Sequence, residues 1–143
     1  MLKGIPSLIG PDLLHVLHSM GHGDELVVAD ANFPGAGLGP RLVRMDGHSL
    51  PDVIDAVLTL LPLDDFEHAA FRMEVDDNPA QKEPVMIEIE RIVARHEPNV
   101  SVLRIDHPAF FARSRHAFAI VQTGETRFYG NIILRKGVIR SRT

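Results

Sequence analysis

The segment Glu25-Leu26-Val27-Val28-Ala29-Asp30 constrains the fold more than any other: an unbroken apolar run bounded by acids, with no polar residue at alternate positions. A strand that faced water on one side would alternate, so this one is expected to be buried on both faces, as strands are in a sheet sandwiched between helices. A helix precedes it. Leu13, Leu14, Leu17 and Met20 recur at helical spacing from Pro11 to Met20, Pro11 suits the first helical position and Gly21 suits the stop.

The same alternation continues down the chain. Residues 31–40 hold three glycines and two prolines and read as loop, and Arg41 to Arg44 as a short strand. Ser49 suits an N-cap before a helix whose apolar face is Val53, Ile54, Val57, Leu58 and Leu61, ended by Pro62. A strand at Ala70 to Val75, a turn at Asp76 to Pro79, a helix from Pro84 to His96 and a strand at Val102 to Ile105 follow. His107-Pro108 opens a short helix through Ser114. Ala117 to Gln122 reads as strand, Thr123-Gly124-Glu125 as a turn, and Ile132 to Arg135 as the last strand. Six strands interleaved with four helices predict an α/β protein: one domain over residues 1–143, three layers (α/β/α), with a mixed, mostly parallel six-stranded sheet and one antiparallel hairpin near the C-terminus. In such sheets ligands collect beyond the carboxyl ends of the strands, where Asp30 and His107 fall.

Composition removes several functions. The 143 residues contain no cysteine, which excludes disulfide scaffolds, thiolate metal sites and cysteine nucleophiles and fits a reducing, cytoplasmic setting. Acids outnumber bases for a formal charge of −4, so no field gathers nucleic acid. The longest apolar run, Ala56 to Leu63, contains Thr59 and Pro62 and is too short to span a bilayer. A small-molecule partner is expected, with neither nucleic acid nor membrane. Gly35-Ala36-Gly37-Leu38-Gly39 leads through Pro40 into a strand instead of a helix, so it lacks the geometry of a phosphate loop, and no Gly-x-Ser-x-Gly elbow is present.

Four features carry candidate chemistry. His22 stands in a Gly21-His22-Gly23-Asp24 turn, where free backbone lets an imidazole approach a ligand for acid/base work near neutral pH; the plainer alternative is a solvated histidine after a helix stop. Asp30 ends the buried strand and either takes a proton or binds a hydroxyl, or simply closes the strand as an Asx-turn. Phe128-Tyr129-Gly130-Asn131 offers an aromatic face, a phenol and an amide, a set that suits a sugar ring, or else a hairpin end with a core tyrosine. His15, His18 and His22 with Asp30 invite a metal reading, but His15 and His18 lie opposite the leucine stripe and His22 beyond the helix stop, so no metal site is expected. The basic residues Arg135, Lys136, Arg140 and Arg142 read as a solvated tail.

Taken together, Gly21-His22-Gly23-Asp24-Glu25, Asp30 with Phe33-Pro34, Ala117-Phe118-Ala119-Ile120-Val121 with Thr123-Gly124-Glu125, and Tyr129-Gly130-Asn131-Ile132-Ile133-Leu134 with Lys136-Gly137-Val138 resemble the ribose pyranase / fucose mutarotase family over nearly the whole chain. Gly-His-Gly-Asp-Glu and Tyr-Gly-Asn resemble its L-fucose branch, whereas His107 before Pro108 stands where that branch leads one to expect Arg and is more like the ribose branch. The resemblance implies an isomerase without cofactor that interconverts sugar anomers, L-fucose being the favoured substrate and D-ribose the alternative. It implies His22 as proton donor, Asp30 as orienting carboxylate or base, His107 binding a hydroxyl or sharing proton transfer, and Tyr129, Gly130 and Asn131 holding the sugar. It further implies a homo-oligomer, a decamer of two pentamers with sites between neighbouring subunits. A non-catalytic sugar-binding module would use the same pocket, and a metal-dependent sugar isomerase is a third possibility.

Overall fold

The computed structural model describes residues 1–141; Arg142, part of the expected basic tail, lies outside them. The elements in chain order are α1 (Pro11–Ser19), β1 (Glu25–Ala29), a short 3-10 turn (Gly35–Gly37), β2 (Arg41–Met45), α2 (Leu50–Leu60), β3 (Ala70–Met73), α3 (Pro84–His96), β4 (Val102–Ile105), α4 (His107–Arg115), β5 (Ala119–Thr123) and β6 (Ile132–Arg135). The six strands form one sheet in the order β2-β5-β1-β6-β3-β4. Pairs β2·β5, β5·β1 and β3·β4 are parallel, and β6 alone runs the other way, antiparallel to β1 and to β3.

β1 lies third in the sheet, and Leu26, Val27, Val28 and Ala29 have no exposed surface. Alternate side chains serve opposite layers. Leu26 and Val28 join α1, α2 and α3 in a large core with Leu13, Leu17, Ile54, Val57, Met86 and Ile89. Val27 and Ala29 join Phe33, Phe71, Met73, Phe110 and Ile133 in a smaller core under α4. At about 1.5–3 kcal/mol for each fully buried aliphatic side chain, neither face of β1 tolerates a polar residue.

The expected C-terminal hairpin does not form. β5 and β6 lie on opposite sides of β1, not next to one another. The Thr123-Gly124-Glu125 segment is not a reversing turn: Gly124 N–H donates to His48 O at 2.8 Å and Glu125 O accepts Ala31 N–H at 2.8 Å. The chain therefore crosses the carboxyl end of β1 and returns down its far side. Burial of Ile132, Ile133 and Leu134 on both faces requires that central place. Nor is the basic tail simply solvated. Lys136 Nζ donates to Leu17 O at 2.8 Å and Met20 O at 2.6 Å, closing the end of α1, and Arg135 Nε donates to buried Asp64 at 2.9 Å. Arg140 is exposed and pairs with Asp65.

Candidate active site

Because β1 and β3 point one way and β6 the other, the ends of β1 and β3 and the start of β6 meet at one edge of the sheet. That edge carries Asp30, Met73 and Asn131. Asp30 is buried, with its N–H donating to Asn131 Oδ1 at 2.9 Å and its carboxylate accepting Asn131 Nδ2 at 3.2 Å and Asn32 N–H at 2.9 Å. The last bond is an Asx-turn, so the structural role anticipated for Asp30 coexists with its exposure to a pocket. The loop behind it is clamped from β5: Gln122 Nε2 donates to Ala31 O (3.1 Å) and Phe33 O (2.7 Å), and Thr123 Oγ1 to Ala29 O (2.8 Å).

Burial raises the Asp30 carboxyl above the usual carboxylate range; the bonds from Asn32, Asn131 and Phe33 pull the other way, and the neighbouring Glu125 charge adds to the rise. The result is a stronger base than a free aspartate, aimed into a cavity of about 230 Å³ lined by Phe33, Pro34, Met73, Phe111, Phe128 and Tyr129 as well as Asp30, Asn32 and Asn131. Phe33 stacks on Phe111 (ring centroids 5.4 Å, planes 1° apart), giving one wall a rigid apolar face. Phe128 at the rim is 72% exposed. Tyr129 holds φ +63°, a left-handed backbone that a bulky residue rarely adopts and that only a surrounding constraint maintains. Gly130 packs behind it, where a Cβ would lie 3.0 Å from Glu125 Cγ.

His107 joins this edge. Asp106 caps α4 by accepting Ala109 N–H at 2.8 Å, which sets His107 at the first helical position directly after β4. Its ring lies 6.1 Å from Tyr129 and 6.3 Å from Phe111. Nε2 is buried 3.3 Å from Asp76 Oδ1 but out of line for a hydrogen bond, so it is left without a partner. Its ring thus backs Tyr129 and Phe111, two walls of the cavity, without itself lining it.

His22 is elsewhere. It precedes β1 whereas Asp30 follows it, and a strand of five residues separates them by about 16 Å at 3.3 Å per residue. Its Nε2 meets Asp64 Oδ1 at 3.1 Å, and its ring lies 5.3 Å from Phe66. The structure therefore brings Asp30, Tyr129 and Asn131 into the lining of one cavity, sets His107 and Gly130 behind Tyr129, and leaves His22 at the opposite edge of the same chain. His15 and His18 are exposed on α1, and among the described residues no three metal-ligating side chains converge. A second, larger groove of about 1060 Å³ opens at the His22 edge, lined by Asp64, Phe66, His68, Phe71, Arg113 and Arg140 among others. Its two arginines are engaged with Glu25 and Asp65. Phe111 and Met73 in the pocket wall, and Asp64 beside His22, carry no local sequence signal; Asp64 meets His22 from 42 residues away.

Fold and pocket together define a single-domain α/β protein with a small polar and aromatic cavity at the carboxyl edge of its sheet. The chain belongs to the RbsD / FucU transport protein family, which it matches over residues 3–139. It is 46% identical to the Homo sapiens protein named fucose mutarotase, over 96% of this chain and 94% of that one. The fucose mutarotase of Streptococcus pneumoniae, solved in complex with L-fucose, superposes with a TM-score of 0.88 at 40% identity, covering 97% of this chain and all of the other. Bacillus subtilis RbsD, solved with D-ribose, shares the fold at 20% identity, with a TM-score of 0.73 over 98% of this chain and all of that one.

Proposed function

We propose that this protein is an isomerase that interconverts the α and β anomers of L-fucose. The observation that carries the reading is the buried Asp30 carboxylate, held by Asn131 and Asn32, made more basic by burial and facing an aromatic pocket. The kinship with proteins named fucose mutarotase supports the choice of sugar.

The reaction needs a proton placed on the ring oxygen while the anomeric hydroxyl loses one. The open-chain aldehyde then turns about C1–C2, and the reverse transfers close the ring on the other face. Asp30 accepts or orients the anomeric hydroxyl proton. Asn131, Tyr129 and His107 bind hydroxyls, and the Phe33 or Phe128 face covers the sugar methyl. His22 supplies the ring-oxygen proton. Since His22 and Asp30 lie at opposite edges of one chain, His22 reaches the pocket from a second copy, with the edge of one subunit set against the opposite edge of the next. Such head-to-tail contacts close into rings, and exposed apolar groups at both edges support them: Phe66 and Ile139 at one, Phe128 at the other. The assembly we expect is a decamer of two pentamers, working in the cytoplasm. Among the described residues no helix is long and apolar enough to cross a membrane.

Saturation-transfer NMR between the two anomer signals tests the activity. Added protein accelerates exchange of L-fucose anomers, and His22→Ala or Asp30→Asn removes most of that gain. Binding of L-fucose without any acceleration would instead mark a non-catalytic sugar-binding protein. His107 favours a second reading, pyranose–furanose exchange of D-ribose; faster exchange for D-ribose than for L-fucose would establish it.

A further inference from the structure

Tyr129 reaches the pocket on residues 124–131, the stretch that crosses the end of β1, and its ring packs against both cores. Its φ of +63° is a backbone that a residue with a Cβ leaves once nothing holds it. The hold after it is Asn131, whose amide oxygen and nitrogen both bond to Asp30. The hold before it is Arg127. Its N–H and Nε donate to Glu125 Oε1 at 3.1 and 2.9 Å, and a terminal guanidinium nitrogen donates to Glu125 Oε2 at 3.1 Å. Glu125 is buried and also accepts the Leu50 N–H at 3.2 Å, so that carboxylate is anchored to the start of α2.

The remaining nitrogen of the Arg127 fork pairs with Glu88 on α3. Glu88 stands one helical turn after Val85, on the same face of α3. Val85 lies against Gly130, where a Cβ would sit 3.5 Å from Val85 Cγ2 and 3.0 Å from Glu125 Cγ. The helix therefore meets the loop twice, and at Gly130 there is no side chain to grip. Phe128 is 72% exposed and adds no packing. Among the described residues the Arg127–Glu88 pair is the one hydrogen-bonded tie from residues 125–131 to α3. Both partners are 42% exposed, so the tie opens without opening the core. A planar guanidinium holds Glu125 along one edge and Glu88 at the other, which a lysine ammonium cannot do.

Resting on the reading of this cavity as the sugar site, we infer that Arg127 is a positioning residue: by tying residues 125–131 to Glu88 it keeps Tyr129 in its left-handed backbone with the ring on the cavity wall, and so sets how tightly the sugar binds. The proton transfers do not pass through it. With the Glu88 arm released, the loop keeps its Glu125 end and its Asn131 end. The peptides between them relax toward ordinary right-handed or extended backbone and take the ring off the wall that Phe33 and Phe111 complete. Asp30 stays in place, held by Asn32 and Asn131. Binding is weakened and the chemical step is spared.

Glu88→Lys in the intact protein tests this. Removing Arg127 outright would strand the buried Glu125 charge and risk unfolding, whereas Glu88 is exposed on its helix and its ion pair contributes little to stability. The chain has one tyrosine and no tryptophan, so tyrosine emission reports residue 129 alone. In the sugar-free protein, quenching of that emission by acrylamide, an uncharged probe, should be markedly stronger in Glu88→Lys than in wild type. For L-fucose anomer exchange, KM should rise by about 10-fold with kcat nearly unchanged, the size expected when a left-handed residue is no longer held. Folded Glu88→Lys protein with wild-type quenching, with wild-type KM, or with its loss in kcat instead, would overturn the inference. Failure of the function reading is separate: the wild type would then show no exchange, while the quenching comparison still decides whether the Arg127–Glu88 tie holds Tyr129.

Discussion

Glu125 links the two halves of the pocket edge, and replacing it by Gln tests that link quantitatively. Its carboxylate accepts the Leu50 N–H at the start of α2 (3.2 Å) and three donors of Arg127. Its backbone carbonyl accepts Ala31 N–H, beside Asp30, and its N–H donates to Thr123 Oγ1 at 3.2 Å. The Arg127 side chain, opposed by burial and aided by the Arg127 and Leu50 N–H groups, moves the Glu125 carboxyl from 4.5 down to about 2. A displacement of that size corresponds to about 3 kcal/mol of folding stability. Arg127 is 42% exposed, however, and water screens part of the attraction, leaving about 2 kcal/mol. Because the folded-state pKa is depressed, this stability is present above pH 4.5 and is lost as pH falls through the window down to about 2. Glu125→Gln should unfold about 6 °C below wild type at pH 7, the gap should narrow as pH falls below 4.5, and the two melting curves should converge only at about pH 2 and below. Equal melting temperatures at pH 7, or a gap that persists undiminished in acid, would refute the linkage.

Three further outcomes follow from single contacts. A Cβ at Gly124 would lie 1.9 Å from Asp46 O, a backbone atom that cannot step aside, so Gly124→Ala should lose about 3 kcal/mol in a denaturant melt. Gly47→Ala, with no heavy atom within 4 Å, should stay within about 0.5 kcal/mol of wild type. Tyr129→Asn keeps a residue that tolerates φ +63° while deleting the ring, so calorimetry should show sugar affinity lost with the melting temperature held. Asp30→Asn should slow anomer exchange by at least about 10²-fold, read by saturation transfer, because an amide cannot take the anomeric proton.

Strands whose pattern reflects burial on both faces were legible from sequence, as were helices with strong punctuation: α3 runs from Pro84 to His96 and β6 keeps the expected bounds. The hairpin was not, because a Thr-Gly-Glu segment reads the same whether it reverses a chain or carries it across the end of another strand. Here the deciding bonds go to His48 and Ala31, far away in sequence. In the pocket, Asp30, Tyr129 and Asn131 were recognisable by chemistry, and the antiparallel run of β6 beside β1 explains why residues 101 apart meet. His22 and Asp30 were joined as a catalytic pair by resemblance alone. The strand read between them already implied that one chain holds them apart. Asp64 stayed invisible because its partner is a tertiary neighbour and nothing local marks it.

The central claim is that each active site takes Asp30 from one copy and His22 from another, and subunit mixing tests it most directly. His22→Ala and Asp30→Asn proteins, each inactive alone, would be unfolded together, refolded as an equal mixture and assayed for L-fucose anomer exchange. Shared sites predict recovery of about a quarter of wild-type activity, since about one interface in four then joins an intact His22 to an intact Asp30. A mixture as inactive as its parents, with mixed oligomers demonstrated by mass spectrometry, would contradict the claim.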